Sequence, residues 1–177
     1  IDLALRLTKT PPDDAVARKL VHMKRVICAT PGYFAAHGEP RTPHELAHHA
    51  CFSLLQLNES RIWRLIDAQG EEVSVPVTSK FLFNDIDCVM NAVLAGHGVG
   101  MLPTYLCGPA LARGELRKIF DDLEPLSSLG RYLYACYTPN RVRVPKVRVF
   151  LEELEKLFTP LPPWEGPVTT LDDIEQH

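Results

Sequence analysis

The 177-residue chain has no paired cysteines to build on. Its five, Cys28, Cys51, Cys88, Cys107 and Cys136, are odd in number and scattered, and none forms a CxxC pair. That excludes a zinc ribbon and a dithiol redox motif. Reduced thiols buried in apolar runs such as Val26-Ile27-Cys28-Ala29 are the simpler expectation. No apolar run approaches the roughly 20 residues that cross a bilayer, and no signal peptide is visible. These absences point to a cytoplasmic protein with no membrane partner. Clustered Lys and Arg are missing too: the net charge is −3 and the pI about 6.2. Phosphate binding needs a basic patch. The densest basic stretch, Arg141, Arg143, Lys146 and Arg148, reads as a solvated helix face.

Nucleophile signatures are absent as well. Nothing resembles G-x-S-x-G, and no local arrangement marks a triad. No enzyme, cofactor or metal is expected. Two motifs tempt otherwise. His44-Glu45-Leu46-Ala47-His48 matches H-E-x-x-H, in which two His one α-helical turn apart hold zinc and the Glu acts as base. Its helix is short, however, and Thr42-Pro43-His44-Glu45 reads as a capping box that already employs the Glu. Gly96-His97-Gly98-Val99-Gly100 suggests a phosphate loop, but such a loop follows a strand and opens a helix. Here a helix ends and a strand begins, so a helix C-cap and tight turn are expected.

What is present is alternation of strands and helices. Residues 1–7 alternate like a strand with no turn before them, which points to a chain that begins inside a domain. A turn at Pro11-Pro12-Asp13-Asp14 and a short amphipathic piece follow. Strands are predicted over 24–30, 51–55, 61–65, 73–77, 81–83, 99–102, 116–120 and 131–137 from apolar runs or period-two alternation. Pro31 opens a helix that Gly38 ends. Asn84-Asp85 caps the clearest helix, whose Ile86, Val89, Met90, Val93 and Leu94 share one face. The last helix, from about Lys146 to Phe158, is expected to bury Val147, Phe150, Leu151, Leu154 and Leu157. Pro-rich, acidic residues 159–177 read as a loose tail. The fold class is α/β with a mixed sheet.

The order of these pieces resembles one family. Lys24 to Gly38, Pro40 to Cys51, Trp63-Arg64-Leu65, Asn84-Asp85 with Ala95 to Pro103, Ala112 to Leu116, Tyr137 to Arg141 and the Phe150-Leu151 helix are similar, in order and spacing, to the effector-binding domain of LysR-type transcription regulators. The resemblance covers about residues 1–158. It implies a type II periplasmic-binding-protein-like fold, with one complete lobe over 25–130 and part of another from 1–24 and 131–158. It further implies a small, anionic effector between the lobes, DNA contact only through a winged helix-turn-helix outside this chain, and a homo-oligomer. Effectors of that charge suit helix N-termini, with their free N–H groups. The expected contacts are Thr30 and Pro31, Asn84, Asp85 and Ile86, Pro103 and Thr104, with Arg6 and Thr8 from the first lobe. Two other readings are an exported solute-binding protein of the same fold, against which the unpaired cysteines weigh, and a zinc hydrolase using the HELAH segment.

Overall fold

A computed structural model describes residues 2–55, 61–141 and 144–165, except the side chains of Lys80 and Arg141. Arg143 of the basic stretch and residues 166–177 of the expected tail lie outside them. In chain order the elements are β1 (Ala4–Thr8), β2 (Val16–His22), β3 (Arg25–Ala29), α1 (Pro31–His37), a 3-10 helix (Pro43–His48), β4 (Cys51–Leu54), β5 (Ile62–Ile66), β6 (Glu72–Pro76) and β7 (Ser79–Phe83). There follow α2 (Ile86–Leu94), β8 (Val99–Pro103), α3 (Thr104–Ala112), β9 (Arg117–Ile119), β10 (Glu124–Pro125), β11 (Tyr132–Tyr137), a 3-10 turn (Pro139–Arg141) and α4 (Pro145–Phe158). The described residues form two compact units: those within 2–23 and 127–163, and those within 24–126 together with 164–165. Among the described residues no helix is long and apolar enough to cross a membrane.

The first unit is a three-stranded antiparallel sheet, β1-β11-β2. The amphipathic piece after Pro12 is therefore a strand, β2, with a register shift opposite Leu133/Tyr134 that obscures its alternation. Helix α4 buries Val147, Leu151 and Leu154, and Val147 and Leu151 cluster with Ala135 and Tyr137 of β11. Phe150 and Leu157, expected inside, are 49% and 52% exposed. Three strands at about 4.8 Å spacing are only about as wide as one helix, so the sheet covers a single stripe of α4. Ion pairs Arg18–Glu155 and Lys146–Asp2 join α4 to β2 and to the residues just before β1.

The second unit has three layers. Its central sheet has the order β7-β4-β8-β3-β9. β4 runs parallel to β7 and β8, whereas β3 is antiparallel to both β8 and β9. Alternate residues serve opposite faces. Ile27 and Ala29 of β3, Cys51 of β4 and Val99 and Met101 of β8 join α1, the 3-10 helix and a small antiparallel sheet, β10-β5-β6. Cys28, Phe52 and Leu102 point the other way, into α2 and α3. All five residues of β8 are consequently buried. Trp63 of β5 is the largest fully buried side chain. Its indole N–H donates to Ser53 Oγ at 2.9 Å, which removes the cost of burying both polar groups.

Glycine makes the central strand possible. Gly96, at φ +76°, ends α2 in the left-handed conformation that closes helices. Gly98 lies so close to β4 that a Cβ would collide with the Ala50 carbonyl oxygen, and one on Gly100 would stand 2.6 Å from Val93 Cγ2. Overpacking of this kind costs about 1–3 kcal/mol. Gly98→Ala should lose at least about 2 kcal/mol, because backbone cannot move aside as a side chain tip can. Gly32→Ala, with nothing within 4 Å of the added carbon, should stay within about 0.5 kcal/mol of the parent. Urea unfolding of the two variants checks this; equal midpoints would contradict it.

Candidate functional site

Topology sorts the three helix starts of the second unit into two groups. β7 and β8 are both parallel to β4, so Asn84, which follows β7, and Pro103, which ends β8, lie at one end of the sheet. β3 runs the opposite way, so Thr30 and Pro31, which follow it, lie at the other end. A five-residue strand separates the two ends by about 17 Å. The chain enters this unit at Lys24, immediately before β3, at the Asn84 and Pro103 end.

The starts differ in what remains for a ligand. Thr30 Oγ1 accepts from the Tyr33 backbone N–H at 3.1 Å and is spent on capping the seven-residue α1. At α2 the cap is Asp85, not Asn84: its carboxylate accepts from the Asp87 N–H at 2.9 Å. Asn84 stands one residue before the cap, exposed, and Ile86 is half-buried. At α3 Pro103 occupies the cap position and offers no side-chain bond. Thr104 donates its backbone N–H to the Lys24 carbonyl at 2.9 Å. Its hydroxyl lies 3.3 Å from the same carbonyl and 3.4 Å from Glu165 Oε1. Lys24 Nζ reaches Glu165 Oε2 at 2.7 Å. Lys24 and Glu165 are contacts no local pattern signals, since 141 residues separate them.

In the first unit, Arg6 and Thr8 pair with Tyr134 and Tyr132 across the β1–β11 ladder, and directly paired residues share a face. Lys19 Nζ lies 4.4 Å from the centre of the Tyr132 ring, and Tyr132 meets Tyr134 edge to face at 6.5 Å. The face is thus cationic and aromatic. Arg6 is exposed on it. Thr8 is turned to its own loop, donating to the Thr10 carbonyl at 2.8 Å.

The HELAH segment has no metal geometry. It forms a 3-10 helix, with three residues per turn, so residues four apart point about a third of a turn from each other instead of stacking. The expected capping box is half-formed. Thr42 makes no side-chain cap, while Glu45 accepts from the Arg41 N–H and the Thr42 hydroxyl, each at 3.0 Å. Those bonds hold the Glu45 carboxyl below its ordinary range. No group of three His, Cys, Asp or Glu able to hold a metal occurs among the described residues. A shallow cavity of about 540 Å³ is lined by Glu39, Arg41, Phe120, Asp121 and Asp122 among others; its three carboxylates disfavour an anion.

His49, at the end of that segment, is buried. The Tyr33 hydroxyl accepts from the Ala50 N–H at 3.1 Å and lies 3.2 Å from His49 Nδ1. The simplest assignment has the phenol donating to a neutral imidazole. Tyr33 also stacks on His37 at 4.3 Å. Burial, then the neighbouring His37 and His48, push the His49 pKa down, against a smaller upward pull from Glu45.

These two units, with binding-protein-like layering and polar helix starts, define the class: a mixed α/β, type II periplasmic-binding-protein-like domain. The sequence profile of the LysR substrate binding domain matches residues 1–159, and the chain belongs to that family. The probable HTH-type transcriptional regulator LtrA of Klebsiella pneumoniae is 30% identical over 156 residues, 88% of this chain and 50% of that protein. The HTH-type transcriptional regulator PtxR of Pseudomonas aeruginosa is 32% identical over 88% of this chain and 49% of its own length. The chain thus spans about half the length of the curated relatives it matches. Among solved structures, the regulatory domain of AphB from Vibrio vulnificus matches with TM-score 0.70 and 27% identity, over 86% of this chain and 73% of that one. The regulatory domain of the LysR-type regulator CrgA from Neisseria meningitidis matches with TM-score 0.69 and 26% identity, over 88% and 74%.

The His49 network has a pH signature. Its folded-state pKa is depressed, so the unfolded chain binds the proton more readily, and stability is present above the unfolded value of about 6.5. It is lost as pH falls through that value toward the folded one. Urea midpoints should drop between pH 7.5 and 5.5, and His49→Gln should drop less than the parent over the same interval. Parallel losses would show that His49 carries no such linkage.

Proposed function

We propose that this chain is the effector-sensing part of a DNA-binding LysR-type transcription regulator and binds a small anion. Its family match over residues 1–159 carries the reading. Support for the anion comes from the end of the second unit's sheet that Asn84, Ile86, Pro103 and Thr104 share with Lys24, whose ammonium pairs with Glu165. Asp85 there caps the helix and tempers the charge preference, which favours ligands whose carboxylate approaches α3 and Lys24 over those that approach α2. Arg6 and Thr8 are the proposed contacts on the first unit; Arg6 supplies charge to the tyrosine face. Thr30 and Pro31 leave the set, being at the opposite end of the sheet and engaged in capping.

In this reading the domain is a sensor and not a catalyst. DNA contact belongs to a helix-turn-helix part of the regulator that this chain does not span, and the whole protein acts in the cytoplasm as a homo-oligomer. The relatives named as HTH-type regulators support that division.

A thermal-unfolding screen of the full-length regulator against aromatic and aliphatic carboxylates, each paired with its neutral amide, tests the reading. A ligand at one hundred times its Kd adds about 2.7 kcal/mol of stability. At least one carboxylate should produce a stabilisation that its amide does not, and Asn84→Ala should reduce it. Equal responses to acids and amides, or none to any acid, would contradict it.

A further inference from the structure

The position beside α3 proposed for an anion holds a carboxylate of the chain itself. Trp164 and Glu165, beyond α4, belong to the second unit. The Glu165 carboxylate is held by Lys24 Nζ at 2.7 Å and by the Thr104 hydroxyl at 3.4 Å, and its side chain is only 14% exposed. A second feature is independent of that charge. Trp164 meets Tyr105 edge to face at 6.2 Å, and its carbonyl oxygen lies against Gly108, where any Cβ would stand 2.5 Å from it. Glycine inside a helix weakens it, yet α3 keeps one at the position over which this segment passes.

Other candidates carry less. The acidic cavity beside Phe120 lacks any group that calls for a ligand. The fully buried Cys28 and Cys107 share an apolar cluster, out of an oxidant's reach. The exposed Phe150 and Leu157 of α4 come with nothing to say what covers them.

We propose that Trp164-Glu165 is an intrachain strap, and that Glu165 occupies a carboxylate site, made by Lys24 and Thr104, for which a small free monocarboxylate competes. The inference rests on the anionic-effector reading and adds its regulation: binding at this position requires the strap to leave. Three requirements follow from the chemistry. Removing the Glu165 charge without changing its shape frees Lys24. Displacing the strap by steric pressure at Gly108 frees it as well, with both charges kept. Removing Lys24 abolishes the advantage of either change.

Calorimetric titration of the full chain with benzoate, and with benzamide as the neutral control, tests this. Glu165→Gln and Gly108→Ala should each bind benzoate at least tenfold more tightly than the parent, with benzamide unaffected. Lys24→Met combined with Glu165→Gln should return to the parent value. Less than a twofold gain in both single variants, a gain shared by benzamide, or a gain that survives Lys24→Met overturns the proposal. A response of the full-length protein to some other carboxylate bears on the effector reading alone, so the two ideas fail separately.

Discussion

The close passage of Gly98 against the Ala50 carbonyl is the contact on which the second unit depends. It lets β8 enter the middle of the sheet directly from α2, with the Val99 N–H donating to that carbonyl at 2.8 Å. Once β8 is central and buried on both faces, the positions of everything at its ends follow. Gly96 sits at one end, beside Thr30 Oγ1. Pro103 and Thr104 sit at the other, level with Lys24 and the end of β7. Asn84, Thr104, Lys24 and Glu165 all lie at that second end.

Much of this was legible in the sequence where local chemistry and tertiary demand agree. Pro31 and Gly38 bracket α1, the Val89-Met90-Val93 stripe marks α2, and the glycine-rich turn reads correctly as a helix stop followed by a strand. Legibility fails where a local signal is ambiguous or where the partner is remote. Asn and Asp are both good N-caps, so Asn84-Asp85 does not reveal which residue caps. The HELAH segment has α-like spacing, and only the geometry reveals a 3-10 helix. The apolar stripe of α4 is wider than the three-stranded sheet it meets, so pattern alone buries Phe150 and Leu157. β2 hides behind its register shift.

The candidate site was less legible than the fold. The choice of candidate residues followed from the preference of anions for helix starts and cations. Their grouping did not follow from it, because strand direction decides which helix starts share an end, and periodicity carries no direction. The antiparallel course of β3 is what sends Thr30 away from Asn84. Lys24 and Glu165 meet only through the tertiary fold, and residues 164 and 165 sit in a Pro-rich stretch whose composition suggests a loose tail.

The central claim is that ligand is sensed at the Asn84 and Thr104 end of the second unit. Amide hydrogen exchange of the full-length regulator, with and without a carboxylate that stabilises it, tests this most directly. Protection should rise at residues 85–87 and 105–107 and stay unchanged at 31–34 and 96–98. Protection confined to 31–34 and 96–98 would place the ligand at the opposite end of the sheet and contradict the account.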